Sequence, residues 1–123
     1  MLFLYHATKM SNYRKICLDG KLKTNAEGLI YFTTQESHSV GWIDLRNYEG
    51  EDIVCFRINA LKLDQSKIED GIDHDPERFK GITVKTYSED IPTDLFDWDN
   101  MMKYKSNNKV DKKVLKELKK LGF

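Results

Sequence analysis

The run Ile53-Val54-Cys55-Phe56-Arg57-Ile58 constrains the fold of this chain more than any other segment. It is short, rich in β-branched and aromatic residues, and preceded by the polar turn 49–52, so it reads as a strand. Its hydrophobicity is nearly continuous where a half-buried strand would alternate, which is the pattern of a strand covered on both faces and central to a sheet. Shorter apolar runs at 2–6 and 29–32 supply neighbours, and 82–87 alternates like a half-buried strand. Asp90-Ile91-Pro92 closes that last run, because proline cannot continue the ladder. With 123 residues, 40% of them hydrophobic, the chain has material for one core, and nothing marks a second unit, so 1–123 reads as a single domain.

Helices are expected between these strands. Ser11 reads as the cap of a helix carrying Tyr13, Ile16 and Cys17 at helical spacing, with Gly20 ending it in a left-handed turn. A polar connection follows over 21–28. Thr33-Thr34-Gln35-Glu36 has the spacing of a reciprocal capping box, and the helix it would start carries Val40 and Trp42 inward. The acidic stretch 61–81 is weakly periodic and reads as a loop with one short helical turn. At the C-terminus, Val110, Val114, Leu118 and Leu121 form the apolar stripe of a basic amphipathic helix over 110–121 that packs onto the domain.

Twenty basic residues balance twenty acidic ones, so net charge names no partner, but the distribution is uneven. Residues 1–24 carry five basic and one acidic, 25–100 seven and seventeen, and 101–123 eight and two. Either these regions neutralise each other across the fold or the basic tail meets an external anion. Cys17 and Cys55 lack a metal or redox spacing and read as reduced core residues. Met1-Leu2-Phe3-Leu4 is too short for a signal region, and no stretch reaches transmembrane length, so a cytoplasmic protein with no membrane association is expected, in a bacterial cell or an infected host.

Several residues have chemical potential. His6 ends an apolar run, a setting in which one imidazole nitrogen is fixed by a carbonyl while the ring faces a cleft. Tyr31 ends another and offers an aromatic face. Arg14, Lys15, Lys21 and Lys23 either meet a diphosphate or solvate the first helix. Asp73-His74-Asp75 holds metal-ligand types too closely spaced to converge, and no metal is expected. His38 reads as exposed on the second helix, with a place on a substrate rim as the alternative, Trp42 as core, and Trp98, within an acidic and aromatic segment, as packed against the C-terminal helix in preference to forming a partner-binding surface. Neither a phosphate-binding glycine loop nor a dinucleotide-binding glycine fingerprint is present.

Taken in order, Tyr5-His6-Ala7-Thr8, a helix with Asn12 and Ile16, Gly20-Lys21-Leu22, and Gly28-Leu29-Ile30-Tyr31-Phe32-Thr33-Thr34 resemble the start of the small ADP-ribosyltransferase-like domains. The resemblance is closest over the first forty residues or so and looser beyond, through the central strand, the acidic loop and Asp90-Ile91-Pro92. It implies an α+β fold with a split, mostly antiparallel β-sheet and flanking helices, and NAD as substrate without a metal. His6 would hydrogen-bond a ribose of NAD with Thr8 beside it, and Tyr31 would stack on nicotinamide with Thr33 as a neighbour. A glutamate would hold the nicotinamide ribose, and Glu89 is the nearest candidate, since the strand before it carries Thr83, Val84, Lys85 and Thr86. A carboxylate there stabilises the positive charge that builds as the glycosidic bond breaks.

The implied activity is transfer of ADP-ribose to a macromolecule, in first place a protein, by a toxin or bacteriophage effector. The rival is a binding module that keeps the fold without the acid and engages a protein or, through the basic C-terminal helix, a nucleic acid. A transferase acting on RNA 2′-phosphate would need several cleft arginines, and the chain has only Arg14, Arg46, Arg57 and Arg78.

Overall fold

A computed structural model describes residues 2–71, 83–106 and 120–122. Asp73-His74-Asp75 and nearly all of the helix expected over 110–121 lie outside the described residues. The described chain runs β1 (Phe3–Lys9), α1 (Met10–Asp19), β2 (Lys21–Leu22), β3 (Ile30–Thr33), α2 (Glu36–Asp44), β4 (Ile53–Asn59), β5 (Ile68–Asp70), β6 (Val84–Tyr87), β7 (Ile91–Pro92) and β8 (Asp97–Tyr104). Six strands form an antiparallel sheet in the order β5-β6-β3-β1-β4-β8, and β2 pairs with β7 in a separate two-stranded ribbon. Among the described residues this is an α+β arrangement with an antiparallel sheet and two helices, α1 and α2.

The Ile53–Ile58 run is interior to the sheet, as its unalternating hydrophobicity requires. Val54, Phe56 and Ile58 face a core shared with Leu4, Ile16, Phe32 and Phe96. On the other side, Ile53 and Cys55 join Ala7 beneath Val40 and Ile43 of α2. Burial on that side pushes the Cys55 thiol up to about 12, so it stays protonated. Phe56 sits at the middle of an aromatic cluster, edge-on to Phe96 at 4.8 Å and tilted against Trp98 at 5.0 Å. Trp98 also meets Tyr13 of α1 and donates its indole N–H to the Thr93 carbonyl, so among the described residues its packing is against this cluster.

Local capping signals yield to tertiary ones. β1 does not stop near His6 but pairs with β4 as far as Lys9↔Ile53, and it enters α1 directly. Ser11 therefore lies inside the helix, and Lys9, in extended conformation, occupies the cap position. The free N–H groups are taken from across the fold: Met10 N–H donates to the Asp52 carbonyl and Ser11 N–H to Glu51 Oε1. The capping box at Thr33 does not form either, because Thr33 belongs to β3 and Gln35 caps α2 without a side-chain bond. Gly20 does end α1 in the left-handed conformation, φ 71°, with its N–H on the Ile16 carbonyl.

Three further expectations change. Cys17 is exposed, on the outer side of α1. The 61–81 stretch holds a 3₁₀ turn at Gln65–Lys67 and the edge strand β5, and a second turn, Ala60–Lys62, overlaps its start. Ile91–Pro92 ends nothing, but pairs with Lys21–Leu22. Both β5 and β8 are edge strands with few buried residues, so they leave little hydrophobic pattern to read.

The turn from α2 into β4 is held by one buried side chain. Asn47 Nδ2 donates to the Glu51 carbonyl and its Oδ1 accepts the Glu51 N–H, so the amide stands in for a strand partner. Asn47→Ala strands both backbone groups, and urea unfolding is expected to show a loss of about 2 kcal/mol or more. A loss within about 0.5 kcal/mol would mean that water replaces the amide.

Candidate functional site

The sheet comes apart between β1 and β3. These strands share a single paired position, Tyr5↔Thr33, whereas β1 and β4 pair over seven and β3 and β6 over four. Beyond that one rung the strands diverge, and main-chain groups facing the gap need other partners. His6 supplies one: its Nδ1 lies 2.8 Å from the Tyr31 carbonyl oxygen. A carbonyl only accepts, so Nδ1 carries the proton and, in the neutral ring, Nε2 is left as an acceptor. The ring packs edge-on to Phe32 at 5.8 Å and against Phe56 at 5.5 Å. Desolvation by this packing lowers its pKa below 6.5 despite the opposing effect of the Tyr31 bond, so the imidazole is neutral at pH 7.

The gap opens into a cleft of about 500 Å³. His6, Ala7 and Thr8 of β1 and Ile30 to Thr33 of β3 form its floor. One wall is a face of α1 with Asn12, Lys15, Ile16 and Asp19, followed by residues from Lys21 to Leu29. The other is a face of α2 with His38, Ser39, Trp42 and Ile43, continued by Arg46. Two hydroxyls fix α2 over the split: Ser39 Oγ donates to the Tyr5 carbonyl, Thr33 Oγ1 donates to the Gln35 carbonyl, and the two oxygens lie 2.6 Å apart. Arg46 lays its guanidinium over the Trp42 ring, 4.2 Å from the centroid. Lys15, Lys21, Lys23 and Arg46 against Asp19 and Glu27 give the cleft lining a positive balance within a chain of zero net charge.

The structure brings His6, Thr8, Tyr31 and Thr33 to this one cleft. Thr8 and Thr33 are buried, and the Thr33 hydroxyl is engaged in seating α2. Tyr31 is half-buried, and its phenol donates to Glu27 Oε2 at 3.3 Å. Desolvation and then the Glu27 charge raise its pKa, which keeps the phenol protonated. Glu89 is elsewhere: it lies between β6 and β7, outside the cleft lining, with its carboxylate 2.9 Å from Lys67 Nζ. Lys15, Lys21 and Lys23 of the N-terminal basic run line the cleft and Arg14 does not.

Two expectations for α2 are corrected. His38 faces the cleft where solvent was expected, and Trp42 is a half-buried cleft wall where core was expected. The signal was present in the spacing, since His38, Trp42 and Arg46 recur every four residues and so share a helical face. Glu27 was hidden in a polar connection. Asn25 shapes that connection, its Oδ1 accepting the N–H groups of Glu27 and Leu29.

Comparison with protein-family models, curated proteins and solved structures finds no match for this chain. Among the described residues no helix is long and apolar enough to cross a membrane.

The lowered His6 pKa fixes the sign of a pH effect. The unfolded chain takes up the proton near pH 6.5 while the folded one resists it, so this contribution is intact above 6.5 and is lost as pH falls toward the folded pKa. Urea unfolding at pH 7.5 and 5.5 should show wild type losing more stability than His6→Asn, whose amide can still donate to the Tyr31 carbonyl. Equal losses would mean that the imidazole titrates alike in both states.

Proposed function

We propose that this protein binds NAD in the cleft and transfers its ADP-ribose to a macromolecular acceptor, a protein in the first instance, on an ADP-ribosyltransferase-like fold. The observation that carries this reading is the His6–Tyr31 bond across a split antiparallel sheet. The two residues that the sequence pattern singles out flank one cleft, and each keeps a function to offer. His6 Nε2 is a neutral acceptor suited to a ribose hydroxyl. The Tyr31 ring offers a face for nicotinamide, and the lysine-lined rim suits a diphosphate.

Breaking the nicotinamide bond builds positive charge on the ribose, and a carboxylate stabilises it only from close range, since the Coulomb energy falls with distance and solvent. Glu89 is the acid suggested by sequence order. Glu27 is the one that lines the cleft beside Tyr31. The position of Glu89 is also what favours the second reading, a binding module on the same fold with no turnover. Transfer to an RNA 2′-phosphate has less support, because among the described residues Arg46 is the one arginine lining the cleft.

Calorimetric titration with NAD tests the reading directly: wild type should bind, and Tyr31→Ala should bind more weakly by about 1–3 kcal/mol, the scale of a lost base–aromatic stack. Absence of binding to wild type would sink the proposal. Release of nicotinamide should fall at least ~100-fold in Glu27→Gln, on the scale of a lost electrostatic contact to the transition state, and stay near wild type in Glu89→Gln. The reverse result would give the role to Glu89, and binding with no turnover in wild type would favour the non-enzymatic module.

A further inference from the structure

We propose that Asp90 is a positioning residue of the cleft: by holding the main chain at Thr24 it sets Glu27 beside Tyr31, an inference that rests on the reading of Glu27 as the carboxylate next to the nicotinamide ribose. Asp90 is not itself among the residues lining the cleft. It lies between β6 and β7 at the head of the Asp90-Ile91-Pro92 run, and both of its carboxylate oxygens reach the segment that follows α1. Oδ1 accepts the Thr24 N–H at 2.9 Å, and Oδ2 lies 3.6 Å from Lys21 Nζ. The Thr24 N–H foremost, and then the Lys21 charge, hold the carboxyl below the usual carboxylate range against some desolvation, so it is an ionised and strong acceptor at pH 7.

The place of Thr24 in the cleft wall gives that bond its reach. From Asn25 to Leu29 the backbone bonds close on the segment itself: Asn25 N–H donates to the Leu29 carbonyl, Gly28 N–H donates to the Asn25 carbonyl, and Asn25 Oδ1 accepts the N–H groups of Glu27 and Leu29. A turn bonded to itself in this way moves as a unit, so its attitude to the cleft is set where it joins the fold. It joins at one end through Ile30, in β3, and at the other through Thr24, held by Asp90. Glu27 stands between these two ends, with Oε2 accepting the Tyr31 phenol at 3.3 Å. Stabilisation of charge on a ribose is steep in distance, and a displacement of about 1 Å in a positioning element costs on the order of 100-fold in rate.

Tyr31 reports where Glu27 stands without any ligand. Desolvation and, after it, the Glu27 charge raise the pKa of its phenol, so an NMR titration of Tyr31 follows that carboxylate. In folded Asp90→Ala the Tyr31 pKa should fall to the value found in Glu27→Gln, and nicotinamide release should drop at least ~10-fold, with no further loss when the two substitutions are combined. Asp90→Asn, whose amide oxygen can still accept the Thr24 N–H, should return both readouts to near wild type. Thr93→Val, which removes a hydroxyl bond to the Gly20 carbonyl beside the same ribbon, should change neither. Asp90→Ser, whose hydroxyl stops a bond short, replaces the alanine variant if that one does not fold. A Tyr31 pKa that stays at the wild-type value in Asp90→Ala overturns the inference, as does an additive loss with Glu27→Gln. So does an Asn variant as impaired as the Ala one, which would assign the effect to the Lys21 pair. Failure of wild type to bind NAD or release nicotinamide removes the reading of Glu27 instead, and is told apart because the Tyr31 titration needs no NAD.

Discussion

The single rung between β1 and β3 is the constraint on which the rest of this structure depends. Had Ala7 and Tyr31 paired as Tyr5 and Thr33 do, the sheet would be continuous and there would be no cleft. Divergence exposes main-chain groups that must be satisfied, and a side chain from the strand itself meets part of that need: the His6 imidazole bridges the gap to the Tyr31 carbonyl. That bond also sets the chemistry. It assigns the proton to Nδ1, leaves Nε2 as acceptor, and holds the ring against Phe32 and Phe56, whose packing keeps it neutral.

A split sheet needs rigidity elsewhere, and β4 provides it. Ile53, Val54, Cys55, Phe56 and Ile58 are each no more than 1% exposed, so the strand is fixed from both faces and holds β1 along its full length. On one side the Phe56 cluster ties α1 to β8 through Tyr13 and Trp98. On the other, α2 is positioned by specific polar bonds as well as apolar contact: Ser39 on the Tyr5 carbonyl at its start, and Asn47 on Glu51 just after its end. The cleft wall carrying His38 and Trp42 is thus referenced to the two strands it covers, β1 and β4.

Charge is organised in the same way. Lys9, Lys21 and Lys103, from the two basic ends of the chain, reach Glu49, Asp90 and Asp52 of its acidic middle. These pairs are at or near the surface and individually contribute at most about 1 kcal/mol, so they bias the arrangement more than they hold it. Lys21 itself lines the cleft, so its pair with Asp90, like that of Lys23 with Asp19, offsets part of the positive charge there.

What the sequence by itself determined is everything governed by local pattern. The buried strand at 53–58 and the glycine that ends α1 follow from hydrophobic period and backbone freedom, which are properties of a few adjacent residues, whereas His6 and Tyr31, read as the ends of their runs, lie inside β1 and β3. Ser11 and Thr33 show where that logic stops: each had a capping signature, and each lost to a partner or a strand assignment some distance away, because β1 runs on to Lys9 and β3 to Thr33. The edge strands β5 and β8 carried too little buried surface to leave a pattern. Only the tertiary structure decided that Glu27, His38, Trp42 and Arg46 share a cleft with His6 and that Glu89 stands apart with Lys67. The reason is physical: a cleft is the place where two strands fail to pair, and which strands pair is settled by competition for neighbours across the whole sheet.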